Sequence, residues 1–198
     1  MTSPTPDWYS THAAAFCART FAIDMEPARQ RFLRHVPARG RILDVGCGSG
    51  RDSKRFAELG YAVDARDRSR EIADEATRRT GLAVRVEDVL EMTDRDAFDG
   101  IWASAMLIHI ESDAEFLEAV RRLARALRPD GALYISLKQS ERAELADGRT
   151  FRFWSPEAAS RSIHAIGMLR LVEEWIAEDG PPRETRWVNV IARRATDR

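Results

Sequence analysis

Gly46, Gly48 and Gly50 occupy every second position of the stretch "ILDVGCGSGRDS", residues 42–53, just behind an apolar run and Asp44. Glycines crowded between a strand and a helix usually mean that backbone approaches a ligand closely. A phosphate cradle ends in Gly-Lys-Ser/Thr, and that ending is absent. A dinucleotide loop needs Gly-x-Gly-x-x-Gly. Arg51 stands where its third glycine, which lets helix pack close to strand, belongs. Asp44 is a poor neighbour for a phosphate and suits a ligand that carries positive charge. Arg51 and Asp52 open the next helix, and Arg51 can pair with a ligand carboxylate or with Asp44. Cys47 lies beside a helix N-terminus, which lowers a thiol pKa, and its size makes it a filler of the loop.

His109 is the base candidate, because an imidazole titrates near neutral pH. Ordering its loop or capping the next helix is the other role open to it. Trp102 and Trp154 offer flat faces for an aromatic or cationic acceptor, or they pack in the core. The long segment "KQSERAELADGRTFRFW" carries Lys138, Arg142, Arg149 and Arg152, which could hold an acidic substrate. Glu141, Glu144 and Asp147 are interleaved among them, as in a solvated loop, although long ordered loops in such folds tend to be functional. His12, His35 and His164 fall in helices with no partner evident from the sequence.

The elements that must position these groups follow from periodicity. Residues 7–36 read as two helices broken near Asp24 to Pro27, with Phe16, Thr20 and Ile23, then Phe32, Leu33 and Val36, at helical spacing. From Arg41 the pattern alternates. "RILDV" is a strand, and residues 51–59 form a helix stopped by Gly60. "YAVDARD" is a second strand, and Ser69 caps a helix running to Thr80 with Gly81 behind it. "LAVRVED" and "FDGIWAS" are strands. Ser112 and Glu115 form a capping box for a helix with Phe116, Leu117, Val120, Leu123, Ala124 and Leu127 on one face. "RPDG" ends that helix, "ALYISLK" is a fifth strand, and Ser155-Pro156 opens another helix. Residues 169–176 and 186–192 are strands joined only by a short stretch containing "DGPPR". Parallel neighbours need a longer crossover, so this pair must be antiparallel. The rest predicts a parallel sheet covered on both faces.

Composition bounds the function. At 198 residues and 44% hydrophobic content the chain can build one full core. Thirty-one basic against 32 acidic residues leave a net charge of −1, so charge gives no reason to expect nucleic acid or a membrane surface. Two cysteines cannot make a zinc site, no metal site is expected, and a reducing cytoplasm is the default. The first ten residues lack the basic start and apolar core of a secretory signal, and no apolar run is long enough to span a bilayer.

Asp-x-Gly-x-Gly-x-Gly at residues 44–50 resembles the cofactor loop of class I S-adenosylmethionine-dependent methyltransferases. The likeness continues in order through "VDARDRS", "VEDV", "FDGIWASAMLIHI" and "RPDGALYISLK", and spans about residues 40–192. It implies an α/β fold: a Rossmann-like three-layer sandwich with a mostly parallel seven-stranded sheet, a C-terminal antiparallel hairpin and an N-terminal helical extension. One domain over 1–198 is expected, with a helical lid over 1–36 and the Rossmann-like core over 40–192. The resemblance implies S-adenosylmethionine as cofactor and S-adenosylhomocysteine as product. Asp44, Gly46, Cys47, Gly48, Ser49, Gly50 and Arg51 would meet it at the first loop. Asp67, with Arg68 and Ser69, would grip both ribose hydroxyls, Asp88 with Val89 would meet the adenine amino group, and Ala103 and Ser104 would follow the fourth strand. A narrower likeness to small bacterial methyltransferases of unassigned substrate, carried by "GCGSGRDSKRFAELGY" and "RWVNVIARR", adds Tyr9 and Thr20 on a segment closing over the cofactor.

Methyl transfer needs nucleophile, methyl carbon and sulfur held collinear, and a base only when the acceptor carries a proton. Family members that methylate base amino groups carry Asn/Asp-Pro-Pro-aromatic after the fourth strand, whereas this chain has "SAML" at 104–107. A small-molecule acceptor is therefore expected, from a monomer or homodimer that binds no membrane and no nucleic acid. The alternatives are methylation of tRNA or protein, a non-catalytic cofactor-binding module, and, weakest, an NAD-dependent oxidoreductase.

Overall fold

The computed structural model describes residues 4–139, 149, 151–178 and 185–196. Seven strands form one sheet: β1 (Arg41–Val45), β2 (Ala62–Asp67), β3 (Val84–Val86), β4 (Phe98–Ser104), β5 (Leu127–Gln139), β6 (Leu169–Glu178) and β7 (Arg186–Arg194), ordered β3-β2-β1-β4-β5-β7-β6. β1 to β5 pair in parallel, and β7 runs antiparallel to both β5 and β6. The order reverses between β1 and β4, the place where such sheets open a crevice at their carboxyl ends.

Period-two alternation sorts the core. Ile42, Trp102, Tyr134 and Ile191 face α2 (Glu26–Leu33) and α3 (Arg51–Glu58), where Phe32 and Phe56 meet them. Leu43, Ile101, Leu133 and Val190 face α5 (Asp113–Ala126) and α6 (Pro156–His164). α5 fits its capping box: Ser112 Oγ accepts the Glu115 N–H, and Phe116, Val120 and Leu123 are buried. Each such side chain contributes about 1.5–3 kcal/mol by leaving water. α4 (Arg70–Thr80) begins at Ser69, whose hydroxyl accepts the Ile72 N–H, and stops at left-handed Gly81. The expected helix bounds hold there, and those of β1 and β4 are likewise as expected.

Three expectations shift. The third strand shrinks to three residues, because Asp88 leaves the ladder to cap a 3₁₀ turn over Val89–Glu91. Leu127 is not on the helix but opens β5, still buried. "RPDG" interrupts β5 rather than preceding it: Leu127 pairs with Phe98 and Ala132 with Gly100, and residues 128–131 bulge with Asp130 at φ 65°. The "DGPPR" connection lies outside the described residues. α1 (Pro4–Phe21) packs across α4 through Cys17, Ala13 and Ile72, which brings the N-terminal helix to the carboxyl edge of the sheet.

Candidate active site

A cleft of about 1360 Å³ opens along that edge. One small-ligand pocket occupies roughly 300–1,000 Å³, so this cleft has room for two ligands. One lobe lies over β1, β2 and β3, and the other over β4, β5 and the β6–β7 hairpin.

The glycine loop walls the first lobe. Gly46 is left-handed at φ 65°, and a Cβ there would come 2.5 Å from Met106 Cβ, so only glycine lets the turn after β4 approach. Gly48 donates its N–H to Asp67 Oδ2 at 3.0 Å, and the Ser69 N–H reaches Asp67 Oδ1 at 3.0 Å. Burial raises the Asp67 carboxyl above its ordinary range, against the pull of those two amides. A carboxylate has about four acceptor positions, and the Gly48 and Ser69 amides take one on each oxygen. Asp88 Oδ1 accepts the Leu90 N–H at 2.9 Å while Arg68 lies 3.7 Å from its Oδ2, and both residues line the cleft with buried Val89. Gly50 and Ala103 are behind the wall. Gly50 starts α3 with Thr80 against it, and Ala103 faces the α5 side of the sheet, because alternation turns it away from the edge. Ser49 and Ser104 line the cleft.

Beneath the loop sits a buried carboxylate pair. Asp44 Oδ2 accepts the Ser53 hydroxyl at 2.5 Å. Burial first, then the charge of Asp52, pushes its carboxyl up to about 7. Arg51 does not take Asp44. It binds Asp52 (Nη2 to Oδ2, 2.6 Å) and donates to the Thr20 carbonyl at the end of α1 (3.3 Å). Asp52 also receives Arg29 Nη1 at 2.5 Å and the Trp102 indole N–H at 3.1 Å. One buried carboxylate thus ties α2, α3 and β4 together, and through Arg51 it holds α1. Arg29 was missed from sequence, since no local signal links it to a residue 23 positions away. Trp102 is fully buried, stacked 3.8 Å from Tyr134, and walls no acceptor.

His109 lies in a 3₁₀ turn over Leu107–His109 after β4 and lines the cleft. Its Nε2 is 3.0 Å from the Tyr9 hydroxyl, so α1 reaches the base candidate directly. Thr20 and Phe16 of α1 also line the cleft. Lys138 and Arg149 are on the wall beside Phe151. Arg152 turns outward to Asp113, and Trp154 is buried against Phe116, so neither meets the cleft. Arg142, Glu141, Glu144 and Asp147 lie outside the described residues. Cys47 lines the loop, but burial pushes its thiol well up, reversing the lowering expected from the helix N-terminus. His12 has a partner in the Trp8 carbonyl and His35 in Glu173. Trp175 and Trp187, not singled out from sequence, line the second lobe. For Trp187 the alternation of "RWVNVIARR" with Asn189 and Ile191 is a signal, whereas Trp175 lies outside that stretch, beyond a register shift in β6.

Residues 42–131 match the model of a methyltransferase domain. A ubiquinone biosynthesis O-methyltransferase from Xanthomonas axonopodis pv. citri is 33% identical over 121 residues, covering 57% of this chain and 49% of that protein. The chain spans about half the length of the first curated relatives it matches. The solved structure of a Burkholderia thailandensis 1,6-didemethyltoxoflavin-N1-methyltransferase, with 1,6-didemethyltoxoflavin and S-adenosylhomocysteine bound, superposes with a TM-score of 0.79 at 26% identity. The match covers 96% of this chain and 86% of that one. A Methanosarcina mazei S-adenosylmethionine-dependent methyltransferase shares the fold, with a TM-score of 0.76 at 17% identity over 88% of this chain and all of that one.

Proposed function

We propose that this chain, a member of the class I S-adenosylmethionine-dependent methyltransferases, transfers a methyl group from S-adenosylmethionine to a small-molecule acceptor. The carrying observation is Asp67, buried at the end of β2 with one backbone N–H on each oxygen and lining the cleft. That acceptor set fits the two hydroxyls of a ribose, and the Gly46 turn fits a ligand that needs close backbone approach. When bound, the cofactor supplies a methyl group already activated on a sulfonium. The chain's residues have the remaining tasks. Asp88 faces an adenine amino group, with Arg68 beside it. Asp44 faces a positive charge, and its own proton leaves when that charge arrives. Tyr9 and Thr20 close the first lobe from α1, acting as the lid over 1–36. His109, at the mouth between the lobes, takes a proton from an acceptor that carries one, with Tyr9 holding its ring.

No helix among the described residues is long and apolar enough to cross a membrane. Cys17 and Cys47 are both unpaired thiols, which supports a cytoplasmic setting for a monomer or homodimer. Asp67→Ala tests the reading. Calorimetry with S-adenosylhomocysteine is expected to show at least a hundredfold loss of affinity, on the order of 3 kcal/mol for two charge-assisted hydrogen bonds. Unchanged affinity removes the ribose role.

A further inference from the structure

We infer that Arg66 is the positioning residue of the base-binding wall: it clamps both ends of the segment 87–94 to β2, and so sets the cleft's choice of a 6-amino over a 6-oxo purine. This rests on the methyl-transfer reading, in which Asp88 faces the adenine amino group. Glu87, Asp88, Val89 and Leu90 line the cleft. The strand that leads into them, β3, is a three-residue edge strand and gives them little support from the sheet. Backbone ties the segment at two points: the Glu87 N–H donates to the Asp67 carbonyl at 3.0 Å, and Arg122 Nη1 donates to the Met92 carbonyl at 2.7 Å. Val89 and Met92 are buried beneath it. The side chains at its two ends, Glu87 and Asp94, meet at one guanidinium.

Arg66 neighbours Asp67 on β2, and its side chain is 1% exposed. Its Nη1 donates to Glu87 Oε2 and, at 2.6 Å, to Asp94 Oδ2; its Nη2 reaches Asp94 Oδ1 at 3.0 Å. Asp94 is thus gripped through both oxygens, the geometry that only a guanidinium fork supplies. Nε and Nη2 donate to Asp64 Oδ1 and Oδ2 at 3.0 and 3.1 Å, which fixes the fork to its own strand. Phe98 lies against the guanidinium, 5.4 Å from its ring centre. Arg41 and Arg85 also reach Asp64, at 3.1 and 3.3 Å, so the cluster balances in charge. The bonds from Arg66 hold the Asp94 carboxyl below the ordinary carboxylate range. Between the two clamped ends the chain turns at Asp88, whose Oδ1 accepts the Leu90 N–H. A 6-amino group donates to a carboxylate, and a 6-oxo group meets it as a second acceptor. Hydrogen bonds weaken steeply as their angle closes, so Asp88 separates the two groups only while the turn that carries it is held in place.

The test measures, by calorimetry on the full chain, affinity for S-adenosylhomocysteine and for its 6-oxo counterpart, S-inosylhomocysteine. The two ligands differ only at the base edge, so a general loosening of the cleft lowers both and leaves their affinity ratio unmoved. Wild type is expected to prefer the 6-amino ligand about tenfold or more, as for one hydrogen bond to a charged acceptor. Arg66→Met keeps the apolar stem and removes the clamp, and the ratio should fall about fivefold or more through loss of S-adenosylhomocysteine affinity. That change leaves buried carboxylates uncompensated, so Glu87→Ala is the second variant. The Glu87 side chain is 29% exposed, its loss releases one end of the segment, and the fold should persist. Its ratio should fall about threefold. A wild-type ratio kept in Glu87→Ala, or in a folded Arg66→Met, overturns the inference. Equal binding of the two ligands by wild type removes the Asp88 role and the inference with it, whereas failure of wild type to bind either overturns the methyl-transfer reading.

Discussion

As the proposed partner of the cofactor's ammonium, the Asp44 carboxyl predicts a pH-dependent affinity. It is buried, accepts Ser53, and stands beside Asp52; burial leads the causes that raise it from an ordinary 3.8 to about 7. A ligand ammonium binds the ionised form. With a pKa of about 7, roughly one-eleventh of Asp44 is ionised at pH 6 and roughly three-quarters at pH 7.5, while an α-ammonium keeps most of its charge. Affinity for S-adenosylhomocysteine should therefore rise about eightfold across that window. Asp44→Asn keeps the acceptor for Ser53 and should bind more weakly at pH 7.5, with this rise removed; any slope from Asp67 remains and serves as the internal control. The same carboxyl sets a stability cost. A raised folded-state pKa means the fold prefers Asp44 protonated, so stability falls as pH climbs from 4 through 7. At 1.36 kcal/mol per pH unit, the full cost is at most about 4 kcal/mol, and Asp44→Asn should melt higher than wild type at pH 8 without ligand. Calorimetry at the two pH values, paired with thermal melts, checks both halves. A flat wild-type affinity, or a variant that melts lower at pH 8, refutes the reasoning.

His109→Ala should lower turnover about 10²- to 10⁴-fold on an acceptor that must lose a proton, with S-adenosylhomocysteine affinity unchanged; full activity removes the base. Asp52→Ala removes the carboxylate that Arg51 binds and leaves Arg29 paired only with Glu26 and Asp24; the side chains of Arg29 and Arg51 are only 8% and 17% exposed. Urea denaturation should show a loss of about 3–5 kcal/mol, and a loss below about 1 kcal/mol would mean the buried network holds little.

What the sequence makes legible is local. Ser69, Ser112 and Ser155 cap helices because each hydroxyl needs only an N–H three residues on, and Gly81 stops a helix because the left-handed turn needs no distant partner. The glycine loop and Asp67 belong to the same class, since the loop follows its strand directly and Asp67 ends the next one. The antiparallel hairpin could be deduced because chain length alone forbids a crossover between two strands that close. The bulge within β5 could not, because "RPDG" reads as the same turn whether it precedes a strand or interrupts one.

The site residues that escaped are those whose partner is chosen by packing across the sheet. Trp102 and Trp154 were candidates for an acceptor wall, and both are buried, whereas Trp175 and Trp187 are at the cleft. Composition cannot separate these four indoles; register does. Trp102 falls opposite Asp44 on β1 and opposite Tyr134 on β5, one step inside the sheet edge, where α2 and α3 cover it. Trp175 takes its face of the sheet because β6 shifts register between Leu171 and Glu173, which moves every later residue of that strand one place relative to β7, whereas Trp187 sits in the unshifted pairing of β7 with β5. A one-residue slip exchanges the two faces of a strand. Without the shift, Trp175 would fall opposite Val188 and point to the α5 and α6 side. An irregularity with no sequence marker of its own thus decides which face of the sheet carries the Trp175 indole.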